Sequence, residues 1–239
     1  MTLAALALGT VACVDININD DGDSTRLDGS GDLVSEDFSL DGFDALKIAE
    51  TFDATVRASD AFSVTVTTDD NVIQSVEIRV SDGTLHLGLE SGLSLNRVTL
   101  RAEITMPELT VVELSGASHA DLDGFAPQPA IDLSASGASS FEADLDTERL
   151  TLDLNGASSA TLRGFAADAR LEGSGASSLA LGDLRIEDAD VELSGASSAE
   201  LTVLNHLDAD LSGASNLNYD GDPQLGDISA SSGASITRR

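Results

Sequence analysis

Three histidines (His86, His119 and His206) and the serines of seven Gly-Ala-Ser blocks are where this sequence offers nucleophilic or metal chemistry. No two of the histidines stand at i, i+2 or i, i+4, the spacings that aim two imidazoles at one metal ion. His119 can meet Asp121 on one face of a strand, but a lone exposed histidine is the plainer reading. No serine lies in a G-x-S-x-G context between a strand and a helix, so a Ser-His-Asp triad has no sequence support. Catalysis would need one such serine, whereas seven equivalent ones read as structure. Carboxylates come in pairs, Asp188/Asp190 and Asp208/Asp210, 20 residues apart. General acid–base work needs a carboxyl whose pKa is raised by burial, and these read as solvent-facing. A non-enzymatic chain is expected.

Calcium is a better runner-up than catalysis. Asn17, Asn19, Asp21, Gly22, Asp23 and Asp28 occupy positions 1, 3, 5, 6, 7 and 12 of an EF-hand-like loop, and Asn216, Asn218, Asp220, Gly221, Asp222 and Asp227 repeat that spacing. Oxygen ligands at alternate positions around a glycine turn suit Ca²⁺. Against this, position 1 is Asn, no helices flank the loops, and position 8 is Ser24 or Pro223. An acidic turn is the plainer reading.

The elements that must carry these residues follow from a repeat. The block glycines are Gly116, Gly137, Gly156, Gly175, Gly195, Gly213 and Gly233, spaced by 21, 19, 19, 20, 18 and 20 residues. Four residues after each of the first six stand Ala120, Phe141, Ala160, Leu179, Ala199 and Leu217, and six residues after stand Leu122, Ala143, Leu162, Leu181, Leu201 and Tyr219. The residues between are mostly polar or small, which is the alternation of a strand with one buried face. The glycine falls where two strands meet in a sharp bend. Two strands and their bends per unit describe one coil of an all-β, single-stranded parallel β-helix, a solenoid of about 20 residues per coil whose stacked coils bury a common column. Within the block, Ala or Ser could face the column, and the pattern leaves that open. Helical repeats would need a 3.6-residue period, which Gly, Asp and Ser interrupt throughout.

Residues 33–113 also alternate, over Ala45–Ala49, Ala54–Arg57, Phe62–Thr67, Val76–Val80, Leu85–Leu89 and Val98–Thr105, with Asp82-Gly83 as a hairpin turn. They lack the block and read as less regular coils capping the same domain, 33–239, whose repeats run over 114–239. Several short runs then carry a resemblance: Gly42-Phe43-Asp44, Phe62-Ser63-Val64-Thr65-Val66, Asp69-Asp70-Asn71, Leu85-His86-Leu87-Gly88-Leu89, Ile104-Thr105-Met106-Pro107-Glu108-Leu109 and Leu114-Ser115-Gly116-Ala117-Ser118. Over roughly 33–236 the chain resembles the bacterial family called putative auto-transporter adhesin, head GIN domain. The resemblance implies a β-helix-like fold and export, often as a lipoprotein, and no catalytic residues.

Composition and the chain start agree with export. Residues 2–12 are a short run of small apolar residues, suited to a signal segment and too short to span a bilayer. Thr10-Val11-Ala12-Cys13 resembles a lipobox, with Cys13 as the lipid attachment site, although Thr10 stands where Leu is usual and no Lys or Arg precedes the run. The alternative is a buried strand with a free Cys. Residues 14–32, rich in Asp, Gly and Ser, read as a tether. With 42 acidic against 12 basic residues the formal charge is −30, which repels phosphate backbones, so no nucleic-acid partner is expected. Lys47 is the single lysine, and Arg149, Arg163, Arg170 and Arg185 are scattered, unlike the basic clusters of polysaccharide-acting β-helices. The charge suits a saline medium outside the cytoplasmic membrane. The expected role is adhesin-like surface interaction or envelope structure, without a cofactor unless calcium. A glycan or cell-surface partner, or a second copy of the chain, is the expected contact.

Overall fold

The computed structural model describes residues 25–125 and 127–239, all in β-strands, turns and one 3₁₀ turn. Strands β1 (Thr25–Asp28) to β9 (Leu100–Met106) form the irregular first part. In order these are β2 (Leu33–Phe38), β3 (Ala45–Ile48), β4 (Asp53–Ala58), β5 (Ser63–Asp69), β6 (Val76–Ser81), β7 (Thr84–Leu89) and β8 (Leu93–Asn96). The regular part runs through β10 (Val111–Leu114), β11 (His119–Asp123), β12 (Ile131–Ala135), β13 (Ser140–Leu154), β14 (Ser159–Gly173), β15 (Ser178–Leu193), β16 (Ser198–Leu211), β17 (Asn216–Asp220), β18 (Gln224–Ala230) and β19 (Ser235–Arg238).

The solenoid is as expected. From β10 onward every pairing is parallel, and each coil lies on the one before it at about 4.8 Å. Each long strand, β13 to β16, begins just after one Gly-Ala-Ser corner and bends round to the next. Residues four and six after the glycine are buried in all six full coils and form two internal ladders. The first part departs from parallel stacking. β3 and β4 continue the column beneath β10 and β11, with β7 and β9 below them, but β2, β5 and β6 pair antiparallel. The β6–β7 hairpin turns at Asp82 and Gly83, both at positive φ (51° and 76°), the geometry whose twist matches the strands it joins.

The corner explains the block. Gly175 has φ +76°, and a Cβ there would lie 2.5 Å from the carbonyl oxygen of Gly156 in the coil below. That carbonyl accepts the N–H of Ala176 at 2.7 Å, so the hydrogen-bonded stack continues through the bend only because no side chain covers it. The question left open by sequence is answered at the next two positions. Ala117 is exposed while Ser118 is buried, and Ser139, Ser158, Ser177, Ser197 and Ser215 are buried like Ser118. Each inward hydroxyl except that of Ser177 donates to the carbonyl three residues earlier, as Ser158 Oγ does to Asn155 at 2.7 Å. A buried hydroxyl needs such a partner, and the tight corner supplies one.

Two placements differ from expectation. His206, which the sequence pattern places in a loop between coils, lies within β16. Asp188 faces His206 in the next coil, and Asp190 faces Asp208, where a constant 20-residue offset would have put Asp188 over Asp208. The reason is the short coil between Gly195 and Gly213, 18 residues, whose deficit is absorbed by register shifts after Leu181 and after Ile186.

A candidate binding groove

Stacking brings together residues that are about 20 apart in sequence. Three residues before each corner glycine, the outward side chains of successive coils form one row: Glu113, Ser134, Asp153, Glu172, Glu192 and Asp210, each the register neighbour of the next. Lys47 extends the row below Glu113 and Ser229 extends it above Asp210. One residue before each glycine stand Ser115, Ser136, Asn155, Ser174, Ser194 and Ser212. Between these rows runs a groove parallel to the solenoid axis. One part, about 410 Å³, extends from Asp153 and Asn155 to Asp210 and Ser231. A second part, about 260 Å³, continues from the same two residues to Lys47 and Glu113. One wall is mainly carboxylate and the other is hydroxyl and amide.

Four consecutive carboxylates at the rung spacing repel one another, and one cation answers them. Arg170 lies one row further round the coil and reaches Glu172 at 2.8 Å, Glu192 at 3.3 Å and Asp190 at 3.9 Å. The hydrogen bond to Glu172, then the charges of Glu172 and Glu192, hold its guanidinium above its ordinary pKa. Asp153, one rung below Glu172, is the carboxyl whose pKa is pushed up. Partial burial is the larger cause and the charge of Glu172 the next, against a lowering hydrogen bond from Asn155 Nδ2 at 2.7 Å. Lys47 closes the far end on Glu113 at 2.6 Å. All four stacked carboxylates lie on one wall, so none of their pairs flanks a bond placed between them, as glycoside hydrolysis requires. What the groove does offer is a periodic series of acceptors and hydroxyls facing solvent.

Beside it, the rows Arg149–Asp168–Asp188–His206 and Thr151–Arg170–Asp190–Asp208 line a shallower depression of about 310 Å³. His206 Nε2 lies 3.2 Å from Asp208 Oδ2 there. Of the four arginines in 149–185, Arg149 and Arg170 share this depression, Arg163 reaches Glu142 and Asp183 only loosely, at 3.8 and 3.9 Å, and Arg185 lies on β15 outside it.

The remaining candidates are dispersed. His119 bonds not to Asp121 but to Ser140 of the next coil, Nδ1 to Oγ at 2.8 Å. Asp53 is the register neighbour of His119 on the other side, so Asp53, His119 and Ser140 stand in one row, although no hydrogen bond joins Asp53 to the imidazole. This row lies outside the groove and the depression. Sequence reasoning missed the His119–Ser140 contact, yet both residues stand three positions after a block glycine. His86 approaches Ser81 at 3.0 Å. Of the first calcium pattern, Asn17, Asn19, Asp21 and Asp23 lie outside the described residues, as does Cys13, and Asp28 is on β1 bonded to Asn96. Of the second, Asn216, Asn218 and Asp220 alternate along extended β17, Asp222 pairs with Arg238 at 2.8 Å, and Asp227 is on β18. The extended backbone does not wrap these side chains round a centre. Among the described residues, no three His, Cys, Asp or Glu side chains are gathered as a metal site would need.

The family model described as putative auto-transporter adhesin, head GIN domain, matches residues 42–223. No protein of curated function matches the chain significantly. Among solved structures, the chain is similar to a putative adhesin from Bacteroides fragilis NCTC 9343, with TM-score 0.84 and 19% identity over 89% of this chain and 100% of that one. It is also similar to a putative lipid binding protein from Parabacteroides distasonis ATCC 8503, with TM-score 0.72 and 16% identity over 90% and 99% of the two chains. A putative adhesin from Parabacteroides merdae ATCC 43184 has TM-score 0.67 and 18% identity over 90% and 99%. At these identities the likeness is one of fold.

Proposed function

The chain belongs to the putative auto-transporter adhesin, head GIN domain family, and from that premise we propose that it is an exported, non-catalytic surface-interaction module of the cell envelope, anchored by lipid on Cys13. The observation that carries the interaction is the groove, where a carboxylate row faces a hydroxyl and amide row across several coils. Its rungs repeat at about 4.8 Å, close to the length of one sugar unit, and both walls suit the hydroxyls of an extended glycan. The anionic wall favours neutral or amino sugars and disfavours uronic acids. The anchor rests on the small residues before Cys13 and on the acidic Gly/Ser/Asp segment after it.

A glycan array tests the groove. Binding by the wild type that is lost in the combined Asp153→Asn, Glu172→Gln, Glu192→Gln variant supports it, and no binding, or binding the variant retains, overturns it. Running the array with calcium and with chelator shows whether a cation bridges carboxylate and sugar. Palmitate labelling with fractionation tests the anchor. Label in the wild type and none in Cys13→Ser supports it, whereas unlabelled soluble protein in both removes it.

A further inference from the structure

The two ends of the column are finished differently. At the first end, β1 and β8 pair as a small separate sheet that brings Leu27, Leu93 and Leu95 against the core. Asp69, 1% exposed, pins this cap by accepting the N–H of Gly31 at 2.7 Å and of Thr99 at 2.9 Å. The edge strand there, β2, exposes Leu33 and Val34 but also carries Glu36 and Asp37, charges that discourage pairing with another strand.

At the other end, β18 and β19 are paired on one side only among the described residues. Leu225 and Ile228 continue the rungs of Leu207 and Ala209, yet they are 50% and 39% exposed where those two are 0% and 2%. Among the described residues, this coil thus presents the apolar column to solvent. Its two edges are unequal. β18 is bulged at Gly226 and Asp227, with the Asp227 N–H turned to Asp208 Oδ1, and a bulge blunts an edge. β19 is regular. The N–H groups of Ser235 and Arg239 bond back to Ser215 and Tyr219, so by strand alternation those of Ile236 and Arg238 point to the open side.

Charge singles out the same coil. Residues 186–204 carry five acids and no Lys or Arg, and residues 205–223 carry four acids and no Lys or Arg. Residues 224–239 carry one Asp and two Arg. For a chain of formal charge −30, this is the face on which a second copy can approach without carboxylates opposing carboxylates. Arg238 is paired with Asp222 and Arg239 with Glu200, so the two arginines do not oppose the approach either.

We propose that two copies of this chain join end to end through their last coils, β19 pairing antiparallel with its copy about a two-fold axis and Leu225 and Ile228 closing the column. A two-fold contact uses the same patch on both copies and is closed, and the capped first ends stop further growth.

Sedimentation equilibrium of the full chain tests this, with two variants. Arg238→Pro removes an N–H from the free edge and leaves the bonds to β17 in place. Leu225→Asp with Ile228→Asp puts charge on side chains that are already exposed, so the fold is kept even if proline disturbs β19. The wild type is expected to be a dimer that tightens with salt, and each folded variant a monomer of unchanged circular dichroism. Leu33→Asp with Val34→Asp at the capped end should remain dimeric. A wild type that stays monomeric up to near-millimolar concentration overturns the proposal. So does an open series of larger oligomers, a dimer that survives the Leu225/Ile228 variant, or one lost through the Leu33/Val34 variant.

Discussion

Replacing Asp153 by Asn should stabilise the protein. Asp153 faces Glu172 across one rung, and partial burial together with that neighbour raises its pKa. Two unit charges about 4.8 Å apart repel by about 0.9 kcal/mol at the dielectric constant of water and by about 3.5 kcal/mol at an effective value of 20. Both groups are partly solvated, which favours the lower figure, and a Debye length of about 8 Å near 0.15 M salt reduces it to about 0.5 kcal/mol. The amide oxygen of the new Asn still accepts the bond from Asn155, so little is lost. At low salt and neutral pH the variant should gain about 1 kcal/mol, or a Tm higher by roughly 2–4 °C for a chain of this size. The sign with pH follows from linkage. A carboxyl whose pKa is raised on folding binds more protons in the native state, so stability falls as pH rises from the unfolded pKa through the folded one. The gain from Asn should therefore be full at neutral pH and vanish below the carboxylate range. Thermal melts of both proteins across pH and NaCl give the assay, and a double-mutant cycle with Glu172→Gln isolates the pair. An equal or lower Tm for Asp153→Asn, or a gain indifferent to salt, would refute the reasoning.

Three further outcomes follow from the geometry. The wild-type Tm should rise with NaCl, because screening relieves the repulsion of a chain carrying −30; a flat dependence in scanning calorimetry would count against this. Gly175→Ala should cost at least ~1 kcal/mol, since its Cβ would meet the Gly156 carbonyl at 2.5 Å with φ at +76°, and urea denaturation reads it. Ser158→Ala should cost about 1 kcal/mol by losing its bond to Asn155, whereas Ser177→Ala, whose buried hydroxyl has no partner, should be neutral or stabilising in the same assay.

Much of the column could be read from the chain because its corner is chemically demanding. Only glycine leaves open the carbonyl that the next coil needs, so the block recurs and marks every coil from Gly116 onward. The groove was harder to see. Asp153, Glu172, Glu192 and Asp210 are separated by 19, 20 and 18 residues, so no constant offset connects them, and the 20-residue offset misplaced Asp188 over Asp208. Counted backward from the glycines, all four stand at the same place, three residues before Gly156, Gly175, Gly195 and Gly213. Variable length is taken up by register shifts elsewhere in the coil, so position relative to the corner is the reliable ruler. The first part offers no such ruler. Whether β5 pairs with β2 and β9, and in which direction, depends on partners distant in sequence, and alternation alone is blind to them.

Stacking has a consequence for the surface that bears on function. A parallel solenoid places equivalent residues above one another, so any outward position filled alike becomes a row of like groups. Three residues after the glycine, the row beyond Asp53 and His119 runs through Ser140, Ser159, Ser178, Ser198 and Asn216, a stretch neutral and free of repulsion. Three residues before it, four carboxylates follow in succession, with Arg170 at 2.8 Å from one and 3.3 Å from another. The fold does not require this, since Ser134 and Ser229 occupy the same row in other coils. A run of four carboxylates at one groove, longer than the stacked pairs Asp121–Glu142, Asp168–Asp188 and Asp190–Asp208 elsewhere on the solenoid, is what selection for binding at the expense of stability would leave. The two effects separate in one protein. Asp153→Asn with Glu172→Gln and Glu192→Gln should melt higher than the wild type at low salt while losing the glycan. A variant that melts higher and binds as before would leave the carboxylates without a role in recognition.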